Sequence, residues 1–359
     1  LQSRGLGDVY KRQITTRTGI KERRILKPEE GEGSSYLAIK AAEDLIKKRN
    51  LDPLEIDLVI VATATPDTLV ASTAAYVATE IGATNAFGYD LLAACSSFLY
   101  GMSTAASYIQ TGRYKKVLLI GADKMSSIVD YTDRTTCIIF GDGAGATLFE
   151  PNEKGLGLQD EYLRSNGVGR NYLSMDAGGS LMPASIETVK NRKHYIYQDG
   201  KSVFKFAVSN MADAAAKIMD QNQLTHEDVA WLIPHQANKR IIDATANRMG
   251  LDHDKVMMNI QRYGNTTSAT LPLLLSDYED QLKKGDNLVF AAQYLEDQGE
   301  GKSLVLSVSA TDTGDELMRQ LYQIDGEKGL SNQFVGGHGF TGLGYVYHPT
   351  SPAELQYFC

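Results

Sequence analysis

The sequence predicts an α/β protein built from two similar halves. Strand and helix signals alternate along most of the chain. Short β-branched runs between turn signals read as buried strands. The order helix, leucine, acidic turn, buried strand occurs twice, in "AAEDLIKKRNLDPLEIDLVIVATAT" and "AAAKIMDQNQLTHEDVAWLIPHQAN". Leu51 then corresponds to Leu224 and Ile56 to Val229, an offset of 173. "YKKVLLIGA" against "KKGDNLVFAA" gives a similar offset, so the two sheets would stack with helices between and outside. The alternative is that all α/β units look alike.

The elements follow in order. Residues 1–13 show no periodicity and read as a non-native leader, outside fold reasoning. In "YLAIKAAEDLIKKRN", Leu37, Ala41, Leu45 and Ile46 lie at helical spacing. "IDLVIVATAT" (56–65), "KKVLLIGAD" (115–123) and "CIIFGDGAGATLF" (137–149) read as strands. "YDLLAA" is strand-like. The following "SSFLYGMSTAASYI" sets Phe98, Leu99, Met102, Ala105, Ala106 and Ile109 on one helix face. "FKFAVSNMADAAAKIMDQNQ" and "KRIIDATANRMG" read as helices, the second stopped by Gly250. "VAWLIP" between them reads as a strand.

Composition bounds the function. At 359 residues and 43% hydrophobic, the chain has material for a large core or two fused domains. A net charge of −8 argues against general binding of nucleic acid or anionic membranes, so an acidic partner needs a local basic patch. Cys95, Cys137 and Cys359 form no CxxC or paired framework, which predicts reduced thiols and a cytoplasmic home. No apolar run reaches the ~18 residues of a membrane span.

Three residues invite chemistry. Cys95 falls where a strand becomes a helix. Unpaired N–H groups there favour a thiolate and can hold an oxyanion; a small buried cysteine is the bland alternative. His235 ends an apolar strand, where open α/β sheets bind ligands; a hydrogen-bonded structural histidine is the alternative. Asn265 follows Gly264 and precedes a predicted helix, so capping alone would explain it. "GDGAGA" (141–146) lacks a following helix N-terminus and is not a dinucleotide fingerprint. Its glycines predict tight turning and close packing.

"TRTGIKERR" (16–24), "AACSS" (93–97), "TDRTTCIIFGDGAGA" (132–146), "PHQANKRII" (234–242) and "RYGNTTSATLP" (262–272) occur in this order. Together they resemble β-ketoacyl-acyl-carrier-protein synthase III, of the thiolase-like superfamily, over roughly residues 14–292. The resemblance implies a five-layer αβαβα fold with duplicated halves and a homodimer. It implies a nucleophile at Cys95 that takes an acetyl group from acetyl-CoA. His235 Nε2 and the Asn265 amide would then stabilise the enolate formed as malonyl-acyl-carrier protein decarboxylates. A neutral amide suits that place, since a carboxylate would repel the enolate. It further implies CoA contacts for Arg17 and Arg134, and a carrier-protein patch from Lys239, Arg240 and Arg248. CoA enters as a substrate thioester; no separate cofactor or metal is implied, and no nucleic acid or membrane.

The halves would span 14–160 and 161–292, with an atypical stretch over 293–359. Where the family has a first strand and helix ahead of "TRTGI", this chain has none, and its adenine-stacking tryptophan falls at Gln13. After "GDNLVFAA" the family's glycine-rich strand is displaced to "GGHGFTGLG" (336–344). This is either an insertion, with an oxyanion loop at Gly337 and Gly339, or a foreign tail that leaves the last core strand unpaired. "TPDTLVASTA" (65–74) is expected at the acyl pocket or the dimer contact. The alternatives to the synthase are another thiolase-like condensing enzyme (hydroxymethylglutaryl-CoA synthase or a polyketide-type starter synthase) or an inactive chimaeric fragment.

Overall fold

The computed structural model describes residues 14–27, 32–152, 156–165 and 167–293, with the backbone of strands 304–309, 340–347 and 355–356. The leader, Gln13 and the proposed loop at Gly337 and Gly339 lie outside the described residues.

Two sheets organise the chain. The first contains β1 (Leu58–Ala62), β2 (Phe87–Leu91), β3 (Val117–Lys124) and β4 (Asp142–Pro151). The second begins with β5 (Gly157–Tyr162) and continues with β6 (Val229–Pro234), β7 (Asn287–Ala292) and β8 (Leu304–Ser309). A late strand, β9 (Phe340–Tyr347), returns to the first sheet. The orders are β9-β4-β3-β1-β2 and β5-β8-β7-β6. β1 pairs parallel with β3 in the first sheet, and β6, at the edge of the second, pairs parallel with β7. The next two pairings outward are antiparallel. A parallel bridge from Leu232 to Val256 lies beside β6, as β2 lies beside β1. The duplication read from the 173-residue offset is therefore repeated in strand order and direction.

The sheet faces divide with the period of two that strands impose. Leu58, Ile60, Ala62, Val117 and Leu119 point to one core, shared with Leu288, Phe290 and Ala292 of β7. Helices α3 (Ser97–Gln110) and α6 (Thr270–Asp277) fill that space with Phe98, Leu99, Met102, Leu271, Leu274 and Leu275. On the outer face of the first sheet, Val59, Val61, Leu118 and Ile120 meet α1 (Ser34–Arg49) and α2 (Thr73–Glu80). On that of the second, Leu232, Val289 and Ala291 meet α4 (Gly200–Gln221) and α5 (Lys239–Met249). The result is the five-layer αβαβα arrangement of the thiolase-like fold. No described helix is long and apolar enough to cross a membrane.

Two expectations need correction. "CIIF" is not a strand. Residues 135–139 turn, and strand pairing in β4 begins at Asp142, so "DGAGATLF" runs as one strand. Its glycines serve close approach: a Cβ on Gly141 would lie 2.5 Å from the Tyr263 carbonyl oxygen. The last core strand is not unpaired either. All six residues of β7 register with β8, and β9 pairs with β4 from Phe340↔Pro151 to Tyr347↔Ala144. In the second sheet the place beside β8 belongs to β5, the strand leading into that half. In the first sheet the matching place beside β4 belongs to β9.

Gly121 in β3 brings the halves together. A Cβ there would lie 2.5 Å from the Ser268 carbonyl oxygen, a backbone atom of the loop before α6. Gly121→Ala is expected to push that loop away and cost about 1–3 kcal/mol, as overpacking does. Urea denaturation would check this; an unchanged midpoint would show that the loop yields freely.

Candidate active site

Cys95 occupies a 3₁₀ turn, Ala94–Ser96, that leads directly into α3. Ala94 is held at φ +43°, a left-handed conformation that costs a residue with a Cβ and is concentrated at functional sites. Ser97 ties the turn down. Its Oγ accepts from the Ala93 N–H at 2.8 Å and donates to the Ala94 carbonyl at 2.7 Å. Cys95 in this turn is 7% exposed.

The expected thiolate is not the resting form. Burial pushes the Cys95 thiol up to about 12, and the nearby Asp123 charge adds to the rise. A hydrogen bond from Asn265 and its own backbone N–H pull the other way without prevailing. The sequence reading weighted the helix start, whose dipole contributes at most about 2 kcal/mol. Desolvation of a fully buried thiolate outweighs it.

His235 follows β6 at its C-terminal end. Its N–H donates to the Ala291 carbonyl of β7 at 2.7 Å. The ring is 2% exposed, and burial alone depresses it to about 3, so the imidazole is neutral. Nδ1 lies 2.7 Å from Thr270 Oγ1, while Nε2 has no hydrogen-bond partner among the described residues.

Asn265 is held by the opposite half. Its N–H donates to the Ile139 carbonyl, and its own carbonyl accepts from Gly141 N–H, both at 3.0 Å. Its Oδ1 accepts from Thr267 N–H at 2.8 Å. The capping expectation is not met: the 3₁₀ turn Thr267–Ala269 starts from Thr266 and α6 from Ala269, neither with a side-chain cap, and Asn265 Oδ1 instead holds the backbone just inside the turn. With the oxygen so used, the amide nitrogen is the end that faces the Cys95 sulfur. Thr267 at φ +53° marks a second strained point, here at a β-branched residue.

Sequence reasoning missed Asp123. It is the penultimate residue of β3, is fully buried, and accepts six hydrogen bonds. Oδ1 takes Thr63 Oγ1, Ala64 N and both donors of Thr65; Oδ2 takes Ser268 N at 3.0 Å and Ser268 Oγ at 2.6 Å. Burial still raises this carboxyl above its usual range. One carboxylate thus ties the first sheet to the Asn265 loop. A buried aspartate ending an apolar strand was the available signal.

Cys95, His235 and Asn265 line one cavity of roughly 260 Å³, together with Arg17, Phe204 and Arg240. Its walls come from both halves, with apolar Ile139, Val203, Ala207 and Met211 between the polar groups. Arg240 stacks over the Phe204 ring at 4.3 Å and makes no ion pair among the described residues. Arg134 does not line the cavity; it is exposed on the segment that follows Asp133. The predicted three-cation patch is weaker than its sequence suggests. Lys239 pairs with Asp243 one turn along α5, and Arg248 with Asp213 on α4. Such exposed pairs contribute only about 0–1 kcal/mol, so an incoming acidic surface can displace them.

Two titration predictions follow from the neutral site. Alkylation of Cys95 by iodoacetamide should keep rising between about pH 7 and pH 10, with no plateau near an ordinary thiol value. A plateau near pH 8 would mean that burial is not dominant. His235 is depressed from 6.5 to about 3, so its contribution to stability is present above pH 6.5 and lost as pH falls toward 3. Within that window the loss is about 1.4 kcal/mol per pH unit. His235→Gln should flatten the acid limb of stability in urea titrations; an equally steep limb would refute the assignment.

Comparison with known proteins places this geometry. Residues 89–167 match the family 3-oxoacyl-[acyl-carrier-protein] synthase III, and residues 219–293 match the C-terminal part of the same family. The β-ketoacyl-[acyl-carrier-protein] synthase III 2 of Bacteroides thetaiotaomicron is 56% identical over 279 residues, 78% of this chain and 83% of that protein. The synthase III of Chlorobaculum tepidum is 56% identical over 283 residues, 78% of this chain and 86% of its own. The crystal structure of the synthase III from Thermus thermophilus aligns with a TM-score of 0.73 at 39% identity, covering 84% of this chain and 90% of that one. The first of the family's two segments carries Cys95 and Asp123, the second His235 and Asn265. On this evidence the chain belongs to the β-ketoacyl-[acyl-carrier-protein] synthase III family of condensing acyltransferases.

Proposed function

We propose that this enzyme condenses an acyl-CoA primer, acetyl-CoA in the simplest case, with malonyl-acyl-carrier protein, in two half-reactions through an acyl-Cys95 intermediate. The observation that carries the reading is the convergence of Cys95, His235 and Asn265, from three distant segments, on one buried cavity. In the first half-reaction Cys95 Sγ attacks the thioester carbonyl. The C–S bond to CoA breaks, and CoA departs as the thiol with the Cys95 proton. In the second, the malonyl C–C bond breaks and CO₂ leaves. Negative charge develops on the thioester oxygen, where His235 Nε2–H and the Asn265 amide donate to it. The enolate carbon then attacks the acyl carbonyl on Cys95, and the sulfur leaves as a thiolate that takes up one proton from solvent. The product is 3-ketoacyl-acyl-carrier protein, the starting unit of fatty-acid synthesis.

The neutral site supports this reading. Both donors keep their hydrogens at physiological pH, and charge arises only when the enolate forms. The chemistry asks for no metal or redox cofactor, because the thioesters supply the leaving groups. Arg17 and Arg240 at the cavity suit the phosphates of CoA or of the carrier protein's prosthetic arm. Arg134 would contact CoA outside the cavity, and Lys239 and Arg248 would trade their acidic neighbours for the carrier protein. A homodimer is supported by the outer edge of β2, which pairs with no further described strand, and by exposed Leu92 just after it, which a second copy would cover. Such an acidic, thiol-bearing enzyme suits the cytoplasm.

Intact mass after mixing with acetyl-CoA tests the first half-reaction. One acetyl group is expected, absent from Cys95→Ala; its absence from the folded wild-type protein would overturn the reading. Asn265→Ala should still acetylate but lose about 10²–10³-fold in condensation with malonyl-acyl-carrier protein, the usual effect of one missing oxyanion donor. Equal loss in both half-reactions would remove Asn265 from the decarboxylation step.

A further inference from the structure

The second half-reaction needs a hydrogen on His235 Nε2. A neutral imidazole carries one N–H, on either nitrogen, and the partner of the other nitrogen decides which. Here that partner is Thr270, the first residue of α6, itself 1% exposed. Thr270 does not line the cavity; it touches the site only through the ring.

Thr270 Oγ1 has one hydrogen and two acceptors within reach, His235 Nδ1 at 2.7 Å and the Thr267 carbonyl at 3.1 Å. The His235–Thr270 distance fits a donor on either side, and the state of the Thr267 carbonyl decides between them. Donor hydroxyls sit about 2.5–3.0 Å from their acceptors, so the Thr267 contact is long and the Nδ1 contact is at the usual value. The Thr267 carbonyl is also already satisfied, because it accepts the Thr270 backbone N–H. The carbonyl does not need the hydroxyl hydrogen, whereas a bare Nδ1 in this dry site does.

We infer that the Thr270 hydroxyl donates to His235 Nδ1 and thereby fixes the ring as its Nε2–H tautomer, with that hydrogen aimed into the cavity. Thr270 is a positioning residue whose effect is to set the sign of the interaction with the substrate oxygen. The opposite tautomer would present an Nε2 lone pair to the developing enolate and repel it. The orphaned Nε2 fits this arrangement: a buried donor without a partner is relieved when a thioester oxygen arrives. The stiff β-branched side chain of threonine holds the hydroxyl in one rotamer better than serine would.

The catalytic consequence rests on the condensing reaction proposed above; the tautomer does not, and the two are tested separately. Histidine-¹⁵N-labelled wild-type enzyme should show a protonated Nε2 and an unprotonated Nδ1 for His235, assigned by its absence from His235→Gln. A protonated Nδ1 would overturn the inference whatever the activity. Thr270→Val removes the hydroxyl at nearly constant shape. It should shift the tautomer signals, acetylate Cys95 at close to the wild-type rate, and lose about 10²-fold in condensation. Thr270→Ser should restore both the spectrum and most of the rate. A valine variant with wild-type signals or wild-type condensation would overturn the role of Thr270. So would one that loses both half-reactions while keeping the tautomer, since that marks a packing role only. Wild-type enzyme that shows the Nε2–H tautomer but does not acetylate would instead remove the functional reading and leave the assignment standing.

Discussion

Asp123 lies one residue from the end of the middle strand of the first sheet, with no solvent contact and no ion pair to a described cation. An isolated carboxylate in such a place is strongly disfavoured unless hydrogen bonds replace its hydration. Six do so, four from Thr63, Ala64 and Thr65 and two from Ser268. Those bonds fix more than the carboxylate. Ser268 belongs to the loop carrying Asn265, and Gly121, two residues before Asp123, leaves that loop room to approach. The distance from the Asn265 amide to the Cys95 sulfur therefore depends on a polar clasp between the halves.

The clasp also shapes the chemistry. Its negative charge adds to burial in keeping Cys95 a thiol, and burial alone keeps His235 a neutral base. A thiol beside two neutral donors differs from the thiolate–imidazolium pair that activates many cysteine nucleophiles. It suits a site that must hold a developing enolate, because the donors lose no hydrogen to the nucleophile. Strain at Ala94 and Thr267 flanks the same atoms, so the site is held by the surrounding packing rather than by local preference.

Much of the fold was legible in the sequence because local rules act within one element. Period-two runs gave β1, β3 and β7 their two buried faces, and the 3.6-residue spacing of Phe98 to Ile109 gave α3 its core side. The 173-residue offset disclosed the repeat. "CIIF" misled because an apolar run looks the same whether it pairs as a strand or packs inside a turn, and its backbone is instead engaged by Asn265. The pairing of the last core strand was not legible because β8 and β9 also pair with partners more than a hundred residues away.

The sequence by itself determined which residue types were present for the chemistry: one cysteine at a helix start, one histidine at a strand end, one asparagine after a glycine turn. It also determined that the charges near Arg240 sit on one helix. Tertiary structure decided the protonation of Cys95 and His235, the Thr270 contact, the Asp123 clasp, and the acidic neighbours of Lys239 and Arg248. The physical reason is the same for each. Desolvation and hydrogen-bond partnership depend on which atoms surround a group in space, and here those atoms come largely from distant parts of the chain.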